Sequence, residues 1–172
     1  MRYVLGTAPA YDERLATLIG FFVTARVLRN DLVLGTFAGP VLGGVALVTL
    51  PDTSEPPGAL EAARAETWRR LGSDARARYE ACGRAWQTVG VEEPNLHLNM
   101  LGVRRGLQGR GTSRLLLEAV HEASRARAGS QGVSLTTEDP GNVPLYRHFG
   151  YRIVGRARIA PELETWGFFR AD

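Results

Sequence analysis

Two glycines set two residues apart carry the clearest chemical signal in this sequence. Gln108-Gly109-Arg110-Gly111-Thr112-Ser113 follows a short apolar stretch, Leu98 to Val103, and leads into an amphipathic segment. Glycine takes positive φ at little cost and lets the main chain come close to a ligand. A strand, a glycine turn and a helix in succession leave several N–H groups free at the positive end of the helix, which suits an anion. The plain alternative is a turn that binds nothing. What is missing narrows the anion. A P-loop needs lysine after its last glycine, and all 21 basic residues here are arginine. A dinucleotide fingerprint needs G-x-G-x-x-G and an acidic residue about 20 positions on. The spacing of Gly106, Gly109 and Gly111 does not fit it.

Several elements must position this turn. Leu115, Leu116, Ala119, Val120 and Ala123 recur on one face of a helix over 112–128, opposite Arg114, Glu118, Glu122 and Arg125. Arg114 with Glu118, and Glu122 with Arg125, are spaced to pair along the wet face. Upstream, Leu15, Leu18, Ile19, Phe22, Val23 and Val27 predict a helix over 12–29 with Asp12 as its cap. Strands over 32–37 and 41–50 form a hairpin about Gly39-Pro40, and Gly43-Gly44 inside it marks a bulge or a close backbone approach. A loop over 51–58 precedes helices over 59–71 and 74–88, separated by Gly72, with Ser73 or Asp74 capping the second. A strand over 95–103 enters the glycine turn. After it come a strand over 132–137, a short helix over 142–149, and a closing hairpin of 151–159 with 165–170.

Composition bounds the function. A chain of 172 residues with 44% hydrophobic and 23% charged residues reads as one globular domain, 1–172. A net charge of +3, with arginines interspersed among acids, argues against a nucleic-acid surface and is matched by a small polyanion. One cysteine, Cys82, gives no disulfide framework and fits a reducing compartment, so the cytoplasm is expected. His97, His121 and His148 are scattered without metal-ligand spacing, so no metal is expected. No apolar run reaches the ~18 residues of a membrane span, and no membrane partner is expected.

Taken together, the turn and its flanks resemble the GNAT superfamily of N-acetyltransferases. Their acetyl-CoA signature reads Gln/Arg-x-x-Gly-x-Gly/Ala after a strand ending in an apolar-x-Val step. Here it stands as Leu101-Gly102-Val103 and then Gln108-Gly109-Arg110-Gly111-Thr112-Ser113, with serine in the last place. The run Asp139-Pro140-Gly141-Asn142-Val143-Pro144-Leu145-Tyr146, followed by Phe149-Gly150-Tyr151, is similar to the puromycin acetyltransferase branch. The resemblance is specific over 95–170 and looser over 12–90. It implies an α/β (α+β) GNAT fold: a mixed, twisted, mostly antiparallel central sheet flanked by helices and splayed at its two central parallel strands. Relatives in this branch begin with a further strand and helix that precede the first residue of this sequence. Either the natural start lies upstream, or the strand at 32–37 is an open edge, which favours a homodimer.

The same resemblance assigns the site. Acetyl-CoA is the implied cosubstrate, with its pantetheine arm lying in the splay like an added strand along Leu101, Gly102 and Val103. Leu101 and Val103 supply main-chain bonds, and the Leu101 N–H holds the thioester oxygen. The pyrophosphate rests on residues 108 to 113, with Arg110 or Arg114 adding charge. Amide formation also needs a proton for the departing thiolate. Tyr146, a phenol protonated at neutral pH, is the candidate donor, and its alternative is a core tyrosine. Asn142, one turn earlier, bonds the arm or merely caps the helix. The branch carries a glutamate as base where this chain has Thr136. His97 and Glu138 are the candidates to replace it, unless an amine of low pKa needs no base. Trp68, Tyr79 and Trp86 either wall the acceptor pocket or pack on the sheet. Cys82, distant from the signature, is not expected to carry the acyl group. The function this implies is N-acetylation of a small-molecule primary amine in a ternary complex. The alternative is an acyl-CoA-binding or sensor module without catalysis.

Overall fold

The computed structural model describes residues 1–7, 10–51 and 58–172. A short helix α1 (Arg2–Leu5) and a long helix α2 (Tyr11–Leu28) precede a hairpin of β1 (Leu32–Ala38) and β2 (Val41–Thr49). Helices α3 (Gly58–Leu71) and α4 (Ser73–Thr88) come next, then β3 (Leu96–Val103), a 3-10 turn (Arg105–Leu107) and α5 (Thr112–Arg125). The chain ends with β4 (Gly132–Thr137), α6 (Asn142–His148), β5 (Arg152–Ala160) and β6 (Leu163–Ala171). The predicted loop at 51–58 falls mainly outside the described residues; Gly58 already belongs to α3.

The strands form one sheet in the order β1-β2-β3-β4-β6-β5. Neighbours are antiparallel except β3 and β4 at the centre, which run parallel. That parallel pairing is brief, covering Leu96, His97 and Leu98 against Val133, Ser134 and Leu135. Beyond it the two strands separate, as the expected splay requires. A register shift between Leu47 and Val48 leaves Asn99 without an opposite residue on β2, so β3 bulges where it parts from β4.

Ala46, Val48, Leu96, Leu98, Val133, Leu135 and Phe168 of the sheet pack with Leu116, Leu117 and Val120 of α5 in the main core. A second cluster joins Val4, Leu5 and Leu18 to Trp68, Leu71, Ala75 and Cys82, tying α1 and α2 to the α3–α4 pair. Trp68 packs within this helical cluster.

Three local expectations are corrected. Helix α5 is rotated from the expected stripe: Leu116, Leu117, Val120, His121 and Ser124 are buried, while Leu115 is 59% exposed. Its polar His121 and Ser124 go inward because they have buried partners, Tyr151 for the imidazole and the Gly132 carbonyl for the hydroxyl. Asp12 does not cap α2, which starts after Ala10 and keeps Asp12 and Glu13 in its first turn, where they favour the helix dipole. Neither Ser73 nor Asp74 caps α4, whose boundary is set by Gly72 at φ 86°.

Candidate functional site

The doublet Gly43-Gly44 explains how the glycine turn is seated. Thr36 faces Gly44 and Phe37 faces Leu42, so Gly43 is the extra residue of a bulge. A Cβ on Gly44 would lie 3.0 Å from Thr112 Cγ2 and 3.1 Å from both the Gly102 carbonyl and Leu116 Cδ1. One on Gly43 would lie 3.0 Å from Leu107 Cδ1, and the Gly43 carbonyl accepts the Arg104 N–H at 2.8 Å. Bulge and close approach are therefore both present. They let the first turn of α5 sit directly on β2 and β3.

Gly109 and Gly111 take φ of 74° and 79°, the left-handed region that the turn was expected to need. Gly111 is the last residue before α5, and the first main-chain bond there is Leu115 N–H to the Gly111 carbonyl. The N–H groups of Gly109, Arg110, Gly111, Thr112 and Ser113 have no acceptor among the described residues. Gln108 differs from its neighbours. Its N–H donates to the Arg105 carbonyl at 3.3 Å and its side chain donates to the Val103 carbonyl at 3.2 Å. It braces the turn instead of joining the free amides. Arg110 is exposed. Arg114, expected to pair with Glu118, places its guanidinium 5.6 Å from the centre of the Phe149 ring. These five amides at a positive helix end fit a diphosphate.

Leu101, Gly102 and Val103 pair with Ala46, Val45 and Gly44 of β2, and from Asn99 onward β3 has no partner on its β4 side. Backbone groups directed to that side suit an extended chain laid between the strands. On the opposite lip, Asn142 donates from Nδ2 to Thr137 Oγ1 at 3.2 Å, which ties the start of α6 to β4. Gly141 precedes α6, so Asn142 is its first residue and not its cap. Tyr146 is half-buried, edge-on to Tyr151 with ring centres 5.8 Å apart and packed on Phe168. Burial pushes its phenol pKa above the usual 10, so it is protonated at neutral pH. It does not line the cavity beside the splay.

That cavity, of about 160 Å³, opens beside the splay. Phe22 and Arg26 of α2, Tyr79 and Trp86 of α4, His97 and Asn99 of β3, and Thr136 and Glu138 at the end of β4 all line it. The Trp86 indole donates to Glu138 Oε1 at 2.7 Å, and Thr165 Oγ1 donates to the same oxygen at 2.9 Å. This fixes the carboxylate and leaves Oε2 without a donor among the described residues. Glu138 also lines the adjoining cavity that reaches Thr137, Asp139 and Asn142. Cys82 lines that second cavity too, but its thiol pKa is raised to about 11, first by burial and then by the Glu138 charge. It is a poor nucleophile there.

His97 sits opposite Ser134 in the parallel ladder, and their side chains meet at 2.9 Å. A chain of hydrogen bonds settles the tautomer. Asn95 Nδ2 donates to the Glu93 carbonyl at 2.7 Å, so its Oδ1 must be the acceptor for the Ser134 hydroxyl, 2.5 Å away. Ser134 then has only a lone pair to offer His97 Nδ1, which carries the proton. Nε2 is left unprotonated, without a protein partner among the described residues. Burial, with Arg26 nearby, lowers the His97 pKa to about 4, so the ring is neutral at pH 7. The sequence pointed to His97 and Glu138 singly. It missed Ser134, Asn95, Arg26 and Asn99, which no motif marks.

Among the described residues no group of three His, Cys, Asp or Glu side chains is placed to hold a metal, and no helix is long and apolar enough to cross a membrane.

A family model described as an acetyltransferase (GNAT) domain matches residues 64–164. No curated protein matches the sequence. Among solved structures, the chain is similar to the histone acetyltransferase HPA2 and related acetyltransferase from Corynebacterium glutamicum, at 15% identity and a TM-score of 0.67. That match covers 98% of this chain and 78% of the other. It is also similar to Drosophila melanogaster polyamine N-acetyltransferase, described as forming N-acetylagmatine, at 17% identity and a TM-score of 0.59, covering 97% and 85%. Against Arabidopsis thaliana NAA60 in complex with acetyl-CoA the identity is 17% and the TM-score 0.48; 77% of this chain spans 66% of that one. At these identities the likeness to the first two shows the fold alone.

Proposed function

Since the chain belongs to the acetyltransferase (GNAT) domain family, an acyltransferase class of enzyme, we propose that it moves the acetyl group of acetyl-CoA to a primary amine of a small molecule. The observation that carries this reading is the set of five unengaged amides at Gly109–Ser113, lying next to the gap between β3 and β4. Acetyl-CoA supplies the activated thioester. Residues Gly109 to Ser113 hold its diphosphate, and Leu101, Gly102 and Val103 line its arm. Asn142 and Gln108 act as braces for the two lips.

The amine is held in the 160 Å³ cavity, where Glu138 Oε2 and His97 Nε2 are the open acceptors. The amine attacks in its neutral form: His97 Nε2 takes the proton that the nitrogen sheds as the C–N bond forms, and Glu138 orients the group. As the C–N bond forms, the C–S bond breaks, and Tyr146 Oη gives its proton to the departing sulfur. A neutral imidazole of fixed tautomer and a protonated phenol are the states this needs at pH 7. Direct attack in a ternary complex follows, because the cysteine near the cavity is held as a thiol.

The finer placement in the puromycin acetyltransferase branch is supported by the run from Asp139 to Tyr146. The open edge of β1, where Phe37 is 69% exposed, supports a homodimer. The single buried thiol supports a reducing, cytoplasmic setting. The test is a panel of small amines with thiol release from acetyl-CoA as readout, beside calorimetry with acetyl-CoA alone. Turnover of at least one primary amine with micromolar cosubstrate binding is expected. No heat at millimolar acetyl-CoA rejects the reading.

A further inference from the structure

The cavity holds a second constellation, which says what the amine carries. Arg26, on α2, directs its guanidinium to the β3 bulge. Its Nη1 donates to Thr49 Oγ1 and, at 2.7 Å, to Asn99 Oδ1. Nε lies 3.3 Å from Asp31 Oδ2. Thr49 Oγ1 donates to Asn99 Oδ1 at 2.8 Å. Asn99 Oδ1 thus accepts twice, which fixes the amide and turns its Nδ2 donors away from these partners. Arg26 Nη2 and Asn99 Nδ2 both lack a protein acceptor among the described residues, and both residues line the cavity. Each is anchored through its other atoms, so neither must give up a bond to receive a ligand.

Charge points the same way. Asp31 has a fully buried side chain, shared by Arg26 and by Arg29 at 3.5 Å, and its Oδ1 accepts the Leu50 N–H at 3.0 Å. Arg26 thus sets a guanidinium at a site where its side chain is only 16% exposed. Glu138 supplies the opposite sign in the same cavity, and Phe22, Tyr79 and Trp86 give it apolar walls. Two donors on adjacent groups, one of them a guanidinium, match the two oxygens of a carboxylate. We propose that the acceptor is a small amine bearing a carboxylate, an amino acid or close analogue, whose carboxylate is held by Arg26 and Asn99 while its amine faces Glu138 and His97. This rests on the acetyl-transfer reading for the fate of the amine, and the pocket's preference is separately measurable.

The experiment compares matched acceptors that differ only in the acid, a series of α-amino acids and their carboxamides. Thiol release is measured with the wild type, Arg26→Gln and Arg26→Lys. Wild-type kcat/KM is expected to favour the acids at least tenfold. Arg26→Gln erases that preference by raising KM for the acids far more than for the carboxamides, and Arg26→Lys restores part of it. Binding of the same pairs, followed by tryptophan fluorescence through Trp86 without acetyl-CoA, reads the pocket independently of turnover. Preferential binding of acids that Arg26→Gln abolishes, without turnover of either series, would sustain the carboxylate site and defeat the transfer reading. Equal binding of acids and carboxamides by the wild type overturns the proposal, and this comparison stands even if Arg26→Gln fails to fold.

Discussion

The two sides of the splay are built in different ways. On the side proposed for the cosubstrate, the available groups are main-chain amides, and what sequence must supply is a permissive backbone: Gly109 and Gly111 at positive φ, with Gly43 and Gly44 to let α5 come close. On the side proposed for the acceptor, the groups are side chains brought from α2, α4, β3 and the end of β4, each oriented by a partner remote in sequence. The first kind of site tolerates many side chains and resists few-atom changes of backbone. The second depends on hydrogen-bond chains that one substitution can undo.

The largest effect is expected where the two sides meet. Tyr146→Phe removes the proposed proton donor without disturbing the packing against Tyr151 and Phe168. A loss on the order of 100- to 1000-fold in kcat is expected, with acetyl-CoA affinity by calorimetry within about twofold. Unchanged kcat would favour the sensor alternative or another donor.

Acid stability separates the halves through their histidines. His121, on α5, is almost fully buried, with a pKa lowered to about 4 chiefly by burial and by Arg170, Asp172 opposing. His97, in the acceptor cavity, is lowered to about 4 as well. Unfolded, each takes a proton near its ordinary 6.5; folded, each stays neutral until about 4. Between those values the unfolded chain binds more protons, so stability is complete above pH 6.5 and falls as pH drops toward 4. For His121 the loss is about 3 kcal/mol. Denaturant unfolding across this range should show the slope, with His121→Gln and His97→Gln each removing a share. A flat profile overturns the assignment of both as neutral buried rings.

Main-chain geometry is tested by Gly111→Val. A left-handed β-branched residue costs roughly 1–2 kcal/mol, enough to turn the amides of the first α5 turn away. Acetyl-CoA affinity is expected to fall about 5- to 30-fold, while carboxylate binding in the acceptor cavity is unaltered. An equal loss in both would mean that the two halves are not independent.

This contrast also explains what could be read before any coordinates. Strand and helix positions followed from periodicity, and the glycine turn followed from residue types in a local run, because local sequence specifies local backbone. The α5 stripe was misjudged by the rotation that puts Leu115 outside and His121 and Ser124 inside, since polar residues entered the core on the strength of partners at Tyr151 and Gly132. The acceptor residues were legible only in part. His97 and Glu138 were visible as chemistry-bearing types, but Arg26 is 73 residues from the Asn99 it bonds. No spacing rule connects such a pair; the fold alone does.

The smallest change probes the least legible feature. Ser134 touches neither cosubstrate nor amine in this arrangement, so it is a positioning residue. It relays the fixed polarity of Asn95 to His97 Nδ1. In Ser134→Ala the imidazole loses its hydrogen-bond partner among the described residues, and the tautomer with the proton on Nε2 becomes accessible, which cannot accept from the amine. A severalfold to tenfold fall in kcat is expected, with KM and acetyl-CoA affinity little changed. A merely structural role would lower thermal stability and leave the ring nitrogens as they were. Nitrogen-15 chemical shifts of His97 distinguish the cases, because the two tautomers exchange the protonated and bare positions. Ser134→Thr, which keeps the hydroxyl, should restore both the shifts and the rate. If Ser134→Ala retains full kcat with Nδ1 still protonated, the hydrogen-bond chain does not set the tautomer, and Glu138 becomes the stronger candidate for the proton acceptor.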